Sequence, residues 1–315
     1  MGDRIRRIGL FALAAAAATA APAFAGDRLE KTFNLSPGGR FRLETGLGRV
    51  RITGRPGSGA HLLVTSHGRD LDELLRFHFD ESPGSVTVSA RSRHHLFLFR
   101  SGSVEFEVEV PAETSIDIDT SGGAIEASGL RAPAKLETSG GSITVRDLTA
   151  SLRAHTSGGS IRLQNIRGEA RVDTSGGNID AVQLQGPLHA ETSGGSIHLD
   201  EVSGDANVHT SGGGIKVRNA GGRLVADTSG GSIDASFAKG NSRGGSLESS
   251  GGGITVAIDP GVGLSIDAEG SRVQTDLPLR IQGEISRRSI HGALGSGGER
   301  LRLRTSGGGI RIQGL

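Results

Sequence analysis

The sequence predicts an all-β chain folded as a single-stranded parallel β-solenoid with coils of about 18 residues, and three observations carry that prediction. Thr-Ser-Gly-Gly recurs at Thr120, Thr138, Thr156, Thr174, Thr192, Thr210 and Thr228, always 18 residues apart. A constant short period marks one small unit stacked on copies of itself, each too small to bury its apolar face alone. Counted from each threonine, apolar residues fall at plus 5, 7, 10, 14 and 16, as in Ile143, Val145, Leu148, Leu152 and Ala154. Steps of two put alternate side chains on one face of a strand, so each unit holds two short strands. Glycines mark both bends: the pairs Gly122-Gly123, Gly140-Gly141, Gly158-Gly159, Gly176-Gly177, Gly194-Gly195, Gly212-Gly213 and Gly230-Gly231, and at plus 12 Gly168, Gly186, Gly204 and Gly222. Glycine accepts positive φ without steric cost, which is the expected reason for both sets.

In chain order, residues 1–25 read as a signal peptide. Arg4, Arg6 and Arg7 precede an apolar stretch from Ile8 to Ala21, and Ala23-Phe24-Ala25 has the small-x-small form of a cleavage site. The stretch is shorter than the roughly 20 residues a spanning helix needs. Residues 26–110 form an irregular N-terminal β region placed to cap the solenoid. Alternation is visible at Phe41-Arg42-Leu43, Val50-Arg51-Ile52, Val86-Thr87-Val88 and Val104 to Val108, with a helical turn expected from Asp70 to Leu75.

Residues 111–315 form the solenoid, regular over 120–237. Continuing the inward alternation turns each repeat threonine inward, so a column of hydroxyls is expected to bond backbone or one another. Right-handed crossovers are the default for parallel strands. Stacking at about 4.8 Å per coil gives the seven clear units a column on the order of 30 Å. After Thr228 the next copy, Ser249-Ser250-Gly251-Gly252, comes 21 residues later, which predicts a bulging loop around Lys239 to Gly245. Thr305-Ser306-Gly307-Gly308-Gly309-Ile310 supplies a final coil.

Composition narrows the function. The formal net charge is +1, and loss of the basic leader leaves the remainder near neutral, against nucleic acid or an anionic membrane as partner. With no cysteine, the chain has neither a lipoprotein acylation site nor a disulfide. Trp and Tyr are absent, and Phe237 is the only phenylalanine after Phe106. Aromatic girdles of an outer-membrane barrel and base-stacking platforms are therefore missing. No stretch beyond the leader is long and apolar enough to form a spanning helix.

Val108-Glu109-Val110-Pro111, the Ser-Gly-Gly-x-Ile ladder and the closing Leu301 to Ile312 resemble the bacterial putative-adhesin family of exported β-solenoid proteins of unknown function. The resemblance covers most of the chain after the leader. It implies the solenoid fold and an adhesive role, and it carries over no catalytic residue.

One set of residues is a candidate interaction surface. The position before each repeat threonine reads Asp119, Glu137, His155, Asp173, Glu191, His209 and Asp227, followed by Glu248 before Ser249. These form one outward column. Like charges at that spacing repel by roughly 1 kcal/mol in water, and Lys135, Arg153, Arg171 and His189, two residues earlier, are placed to offset it through pairs such as Lys135 with Glu137 and Arg171 with Asp173. The column reads first as a solvated mixed-charge face, and second as a ladder for a divalent cation or a glycan. Calcium in the turns is disfavoured, because isoleucine replaces the aspartate of the calcium-binding repeat. Hexapeptide acyltransferase coils are disfavoured because the apolar positions do not recur every six. Gly240-Asn241-Ser242-Arg243-Gly244 matches a nucleophile elbow only by chance, since that serine needs a strand-to-helix turn. The run from Arg91 to Arg100 reads as cap packing, with Phe97 and Phe99 as a possible partner-binding edge if exposed.

No cofactor, metal or catalytic residue is expected. The leading reading is a non-catalytic exported solenoid that contacts a protein or glycan at the cell envelope or surface. A periplasmic scaffold or sensor partner is the alternative, and a polysaccharide-active β-helix enzyme follows it.

Overall fold

The computed structural model describes residues 23–25, 27–93, 103–281 and 286–315. Most of the predicted leader, together with Phe97 and Phe99, lies outside the described residues. Ala23–Ala25 pair antiparallel with Arg28–Glu30.

Each coil contributes one strand to each of two sheets, and among the described residues each sheet has fifteen strands. Ile143–Leu148 lies in the first sheet and Leu152–Thr156 in the second. From coil to coil the pairing is parallel and in register, with Ile125, Ile143, Ile161, Ile179, Ile197 and Ile215 in one row. The predicted inward positions are buried in every regular coil, and one contiguous core runs from Leu29 to Ile312.

The step of three between plus 7 and plus 10 has a backbone cause. Asp147, Asn165, Gln183, Glu201 and Asn219 all adopt left-handed φ of 54–57°. That corner turns two successive residues away from the core and returns the next, Leu148 or its equivalent, to it. Coil 228–237 lacks the corner residue. The pairing therefore shifts, Ala220 faces Phe237, and the larger ring occupies the buried site.

The repeat threonines are buried, as alternation requires. Thr156 Oγ1 donates to Gly141 O in the preceding coil at 2.8 Å and accepts the N–H of Gly159 in its own coil at 3.2 Å. Thr138, Thr174, Thr192, Thr210 and Thr228 repeat both bonds.

The reason expected for the glycine pairs needs correction, because Gly140 and Gly141 lie outside the left-handed region, as do their equivalents. A Cβ on Gly159 would stand 2.0 Å from Gly141 O, so the second glycine is required by the closeness of the coil below. The first is not required: a Cβ on Gly158 would meet its nearest atoms at 3.7 Å, an ordinary contact. At the other bend Gly168 and Gly186 do take positive φ, 150° and 138°, while Gly204 and Gly222 are held to glycine by a close carbonyl.

The predicted loop after Phe237 folds back onto the stack. Asn241 is buried, and its amide donates to the carbonyls of Ala220 and Gly222 while its Oδ1 accepts the N–H of Arg243. Asp259 accepts N–H bonds from Gly261 at 2.9 Å and Gly240 at 3.0 Å, tying this loop to the next turn.

The two ends are built differently from the middle. Arg40–Thr45 and Arg49–Arg55 form a divergent coil in register with the first clear repeat, Thr45 beside Thr120 and Val50 beside Ile125. Beyond it lie Ser85–Ser92 and Ser103–Pro111. Antiparallel strands then close that end: Leu75–Ser82, Ala60–His67 and Arg28–Phe33. The expected helical turn is present as Leu71–Leu74. Phe33, Phe41, Phe77, Phe79 and Phe106 pack together with ring centroids 5.9–6.5 Å apart. This plugs the core where no further coil follows. The outer edges at this end are the three-residue strand Ala23–Ala25 and Leu75–Ser82, which carries Arg76, His78, Asp80 and Glu81, and short or charged edge strands resist pairing with another chain.

At the other end the coils stack out of chain order. Arg300–Thr305 lies between Gly245–Ser249 and Leu264–Glu269. Likewise Ile310–Gly314 lies between Ile254–Ile258 and Val273–Thr275. Ser289–Leu294 then closes the edge antiparallel to Leu264–Glu269.

Candidate functional site

The second sheet brings the predicted charged residues into a single row. Asp119, Glu137, His155, Asp173, Glu191, His209, Asp227 and Glu248 are successive register partners. The row continues in both directions, to Glu44 beside Asp119 and to Arg304 and Glu269 beyond Glu248. Glu44 belongs to the coil whose Thr45-Gly46-Leu47-Gly48 is a degenerate repeat motif, a signal the 18-residue ladder does not contain.

Parallel to this row, and two residues earlier on each strand, run Arg42, Asp117, Lys135, Arg153, Arg171 and His189. Lys135 Nζ lies 2.9 Å from Glu137, Arg171 3.9 Å from Asp173, and His189 3.9 Å from Glu191. His209 approaches Asp227 of the next coil at 3.0 Å. The hydrogen bond from Lys135 to Glu137 holds the ammonium pKa above its usual value. Arg42 is raised likewise, chiefly by its hydrogen bond to Glu44. All these groups are wholly or partly exposed, so each pair contributes at most about 1 kcal/mol. They fix the pattern of charge rather than the fold.

Asp173, His189 and Glu191 present three ligand atoms within 4.8 Å of one another, the grouping on this face with the chemistry to hold a divalent cation. Arg171 stands beside Asp173 and competes for the same carboxylate. Where the out-of-order coil enters the row, an open groove of about 590 Å³ is lined by Asp227, Glu248, Glu269, Arg288, Arg304 and serine and threonine hydroxyls. Ser242 is exposed on the folded-back loop. No strand-to-helix turn carries it, since Leu71–Leu74 is the only helix among the described residues.

Among the described residues two carboxyls are held below their usual range, and hydrogen bonding explains both. Glu30 is lowered first by His61 and then by Arg28, and Asp259 by the N–H groups of Gly261 and Gly240. Neither faces the charged row.

Two parallel sheets of short coils, an inner hydroxyl ladder and an outer charged row define a β-solenoid with a repetitive polar face. The chain belongs to the Toastrack family, DUF4097, whose family model matches residues 47–313. Among solved structures it is similar to a putative cell adhesion protein from Clostridium sporogenes ATCC 15579, with 11% identity over 94% of this chain and 100% of that one, at a TM-score of 0.24. It is similar also to a putative adhesin from Bacteroides fragilis NCTC 9343, with 9% identity over 92% and 98% and a TM-score of 0.36. A putative adhesin from Parabacteroides distasonis ATCC 8503 gives 9%, the same coverages and 0.33. No match was found among curated proteins. No helix of the described residues is long and apolar enough to cross a membrane.

Proposed function

We propose that this chain is an exported, non-catalytic adhesin-type solenoid that presents its charged row to a protein or glycan of the cell envelope. The observation that carries the reading is the in-register succession of Asp, Glu and His along the second sheet, flanked by Lys and Arg. Groups spaced by one coil rise, about 4.8 Å, on a rigid support suit many weak contacts with a repetitive partner. Linked contacts of that kind multiply into avidity without any deep pocket. The basic, apolar and small-x-small succession at residues 1–25 supports export.

The test is protease accessibility of an epitope-tagged chain on intact cells, with a periplasmic protein as the integrity control. Cleavage on intact cells is the expected result. Protection until the envelope is opened would overturn surface adhesion and leave a periplasmic partner as the reading. In parallel, Asp173→Ala with Glu191→Ala should weaken retention by envelope fragments, and unchanged retention would remove the charged row from the proposal.

A further inference from the structure

The coil 300–314 occupies a place that chain order does not assign to it. Residues 245–258 and 264–275 are consecutive coils in sequence but stand two coils apart, and 300–314 fills the gap in both sheets.

The fit is specific on both sides. The inner ladder runs on into this coil and ends at Thr305, since Gly270 stands at the threonine position of the coil above. Thr305 Oγ1 donates to Gly252 O below, Gly308 N–H donates to Thr305 Oγ1, and Ser271 Oγ from the coil above donates to Gly308 O. A Cβ on Gly308 would stand 2.3 Å from Gly252 O. Leu301, Leu303, Ile310 and Ile312 fill the core, and Arg304 pairs with Glu269 at 2.9 Å. Coil 264–275 cannot take over this position, since it reads Glu269-Gly270-Ser271-Arg272-Val273 and offers neither the threonine hydroxyl nor the glycine pair.

The connection into the coil is a tight turn: Gly297 N–H donates to Leu294 O at 3.0 Å, and Ser265 donates from Oγ to Gly298 O at 3.1 Å and from its N–H to Glu299 O at 3.0 Å. Gly295, Gly297 and Gly298 all have positive φ, and residues 295–299 are exposed or half-exposed. A coil inserted out of chain order, with interlocking contacts on two sides and a glycine turn as its covalent entry, can be seated by its own chain or by another, and every copy of the chain carries both the coil and its slot.

We propose that the gap between coils 245–258 and 264–275 is a coil-binding site, and that its partner is the 300–314 coil of a second copy of this chain. The exchange breaks and remakes the same hydrogen bonds, so its equilibrium cost is confined to the turn and to association. Exchange of an identical element is a low-cost route to a dimer. Its direction is set by that turn, which passes against Gly263 on its way from Leu294 to Arg300, so shortening it strains the route to the chain's own slot.

Ser246 and Arg302 are register partners across one edge of the slot, and the chain has no cysteine of its own. Adjacent-strand spacing suits a disulfide. Full-length Ser246→Cys and Arg302→Cys chains, mixed at high concentration, warmed and oxidised, should give a cross-linked heterodimer. A control mixture of Ser246→Cys with Arg311→Cys, which are not partners, should not. The double variant in one chain should close its disulfide within a monomer. Deleting Gly297 and Gly298 should shift the unmodified chain from monomer to dimer. A matched mixture giving no more heterodimer than the control overturns the proposal. So does a double variant that fails to close, because the coil would then not sit in this slot.

Discussion

Each coil carries two columns, one inside and one outside, and they repeat by different rules. The inner column is threonine at every regular coil from Thr120 to Thr228, with a glycine three residues on. The outer column, one residue before the threonine, runs through aspartate, glutamate and histidine in changing order. From Thr138 on, each hydroxyl lies buried between two backbones and satisfies one fixed donor and one fixed acceptor, where a missed partner costs more than a typical bond contributes; the hydroxyl of Thr120, at the head of the column, is buried without a partner among the described residues. An exposed side chain meets no such demand. Strict repetition therefore reports packing, and the part of the repeat free to vary is the part left for recognition.

Gly177→Ala breaks the inner column most severely. Its Cβ would lie 2.0 Å from Gly159 O, backbone that cannot move without parting the coils, so a loss on the order of 3–5 kcal/mol is expected in denaturant unfolding. Gly176→Ala sharpens the contrast within one motif, because its Cβ meets nothing nearer than 3.6 Å and should change stability by less than about 1 kcal/mol. Thr174→Val keeps the shape but strands the carbonyl of Gly159 and the N–H of Gly177, which should cost about 2–3 kcal/mol.

Acid separates structural from decorative carboxylates. Asp259 is held below its ordinary 3.8 by two backbone N–H bonds, so its stabilisation is present above that value and is lost as pH falls through the lowered one. The difference in melting temperature between the wild-type chain and Asp259→Asn should be largest near neutrality and shrink below pH 3.8. At the small end, Asp173→Ala with Glu191→Ala should leave stability within about 1 kcal/mol of wild type while weakening binding. A large loss of stability in that pair would merge the two columns into one structural device.

Much of this was legible in the sequence because a solenoid repeats its local rules. The 18-residue period, the inward threonines and the apolar offsets follow from Thr120 to Ser232 alone. What stayed hidden depends on contacts between coils. The glycine pair looks like a turn signal, yet its second member answers to a carbonyl 18 residues earlier. The left-handed corner at Asp147 and its equivalents was visible only as an uneven step in the apolar pattern. Asn241 looks like loop polarity until its amide is found on two carbonyls of the preceding coil. The coil at 300–314 was recognisable as a coil, but no local pattern records which two neighbours it separates. In the charged row, the residues preceding each threonine were legible, and Glu44 was not, since its coil has lost the Thr-Ser-Gly-Gly spelling.

The close carbonyl contact at each second glycine makes the middle coils interchangeable. Every coil from Thr138 to Thr210 presents the same glycine-pair contact above and below, so the loss or duplication of one 18-residue unit would leave that contact intact at both new junctions, with only the second bend differing from coil to coil. A lineage could thus lengthen or shorten the rod in whole rungs by recombination within its own gene. Each such event would rewrite the order of charges on the face while leaving the scaffold unaltered.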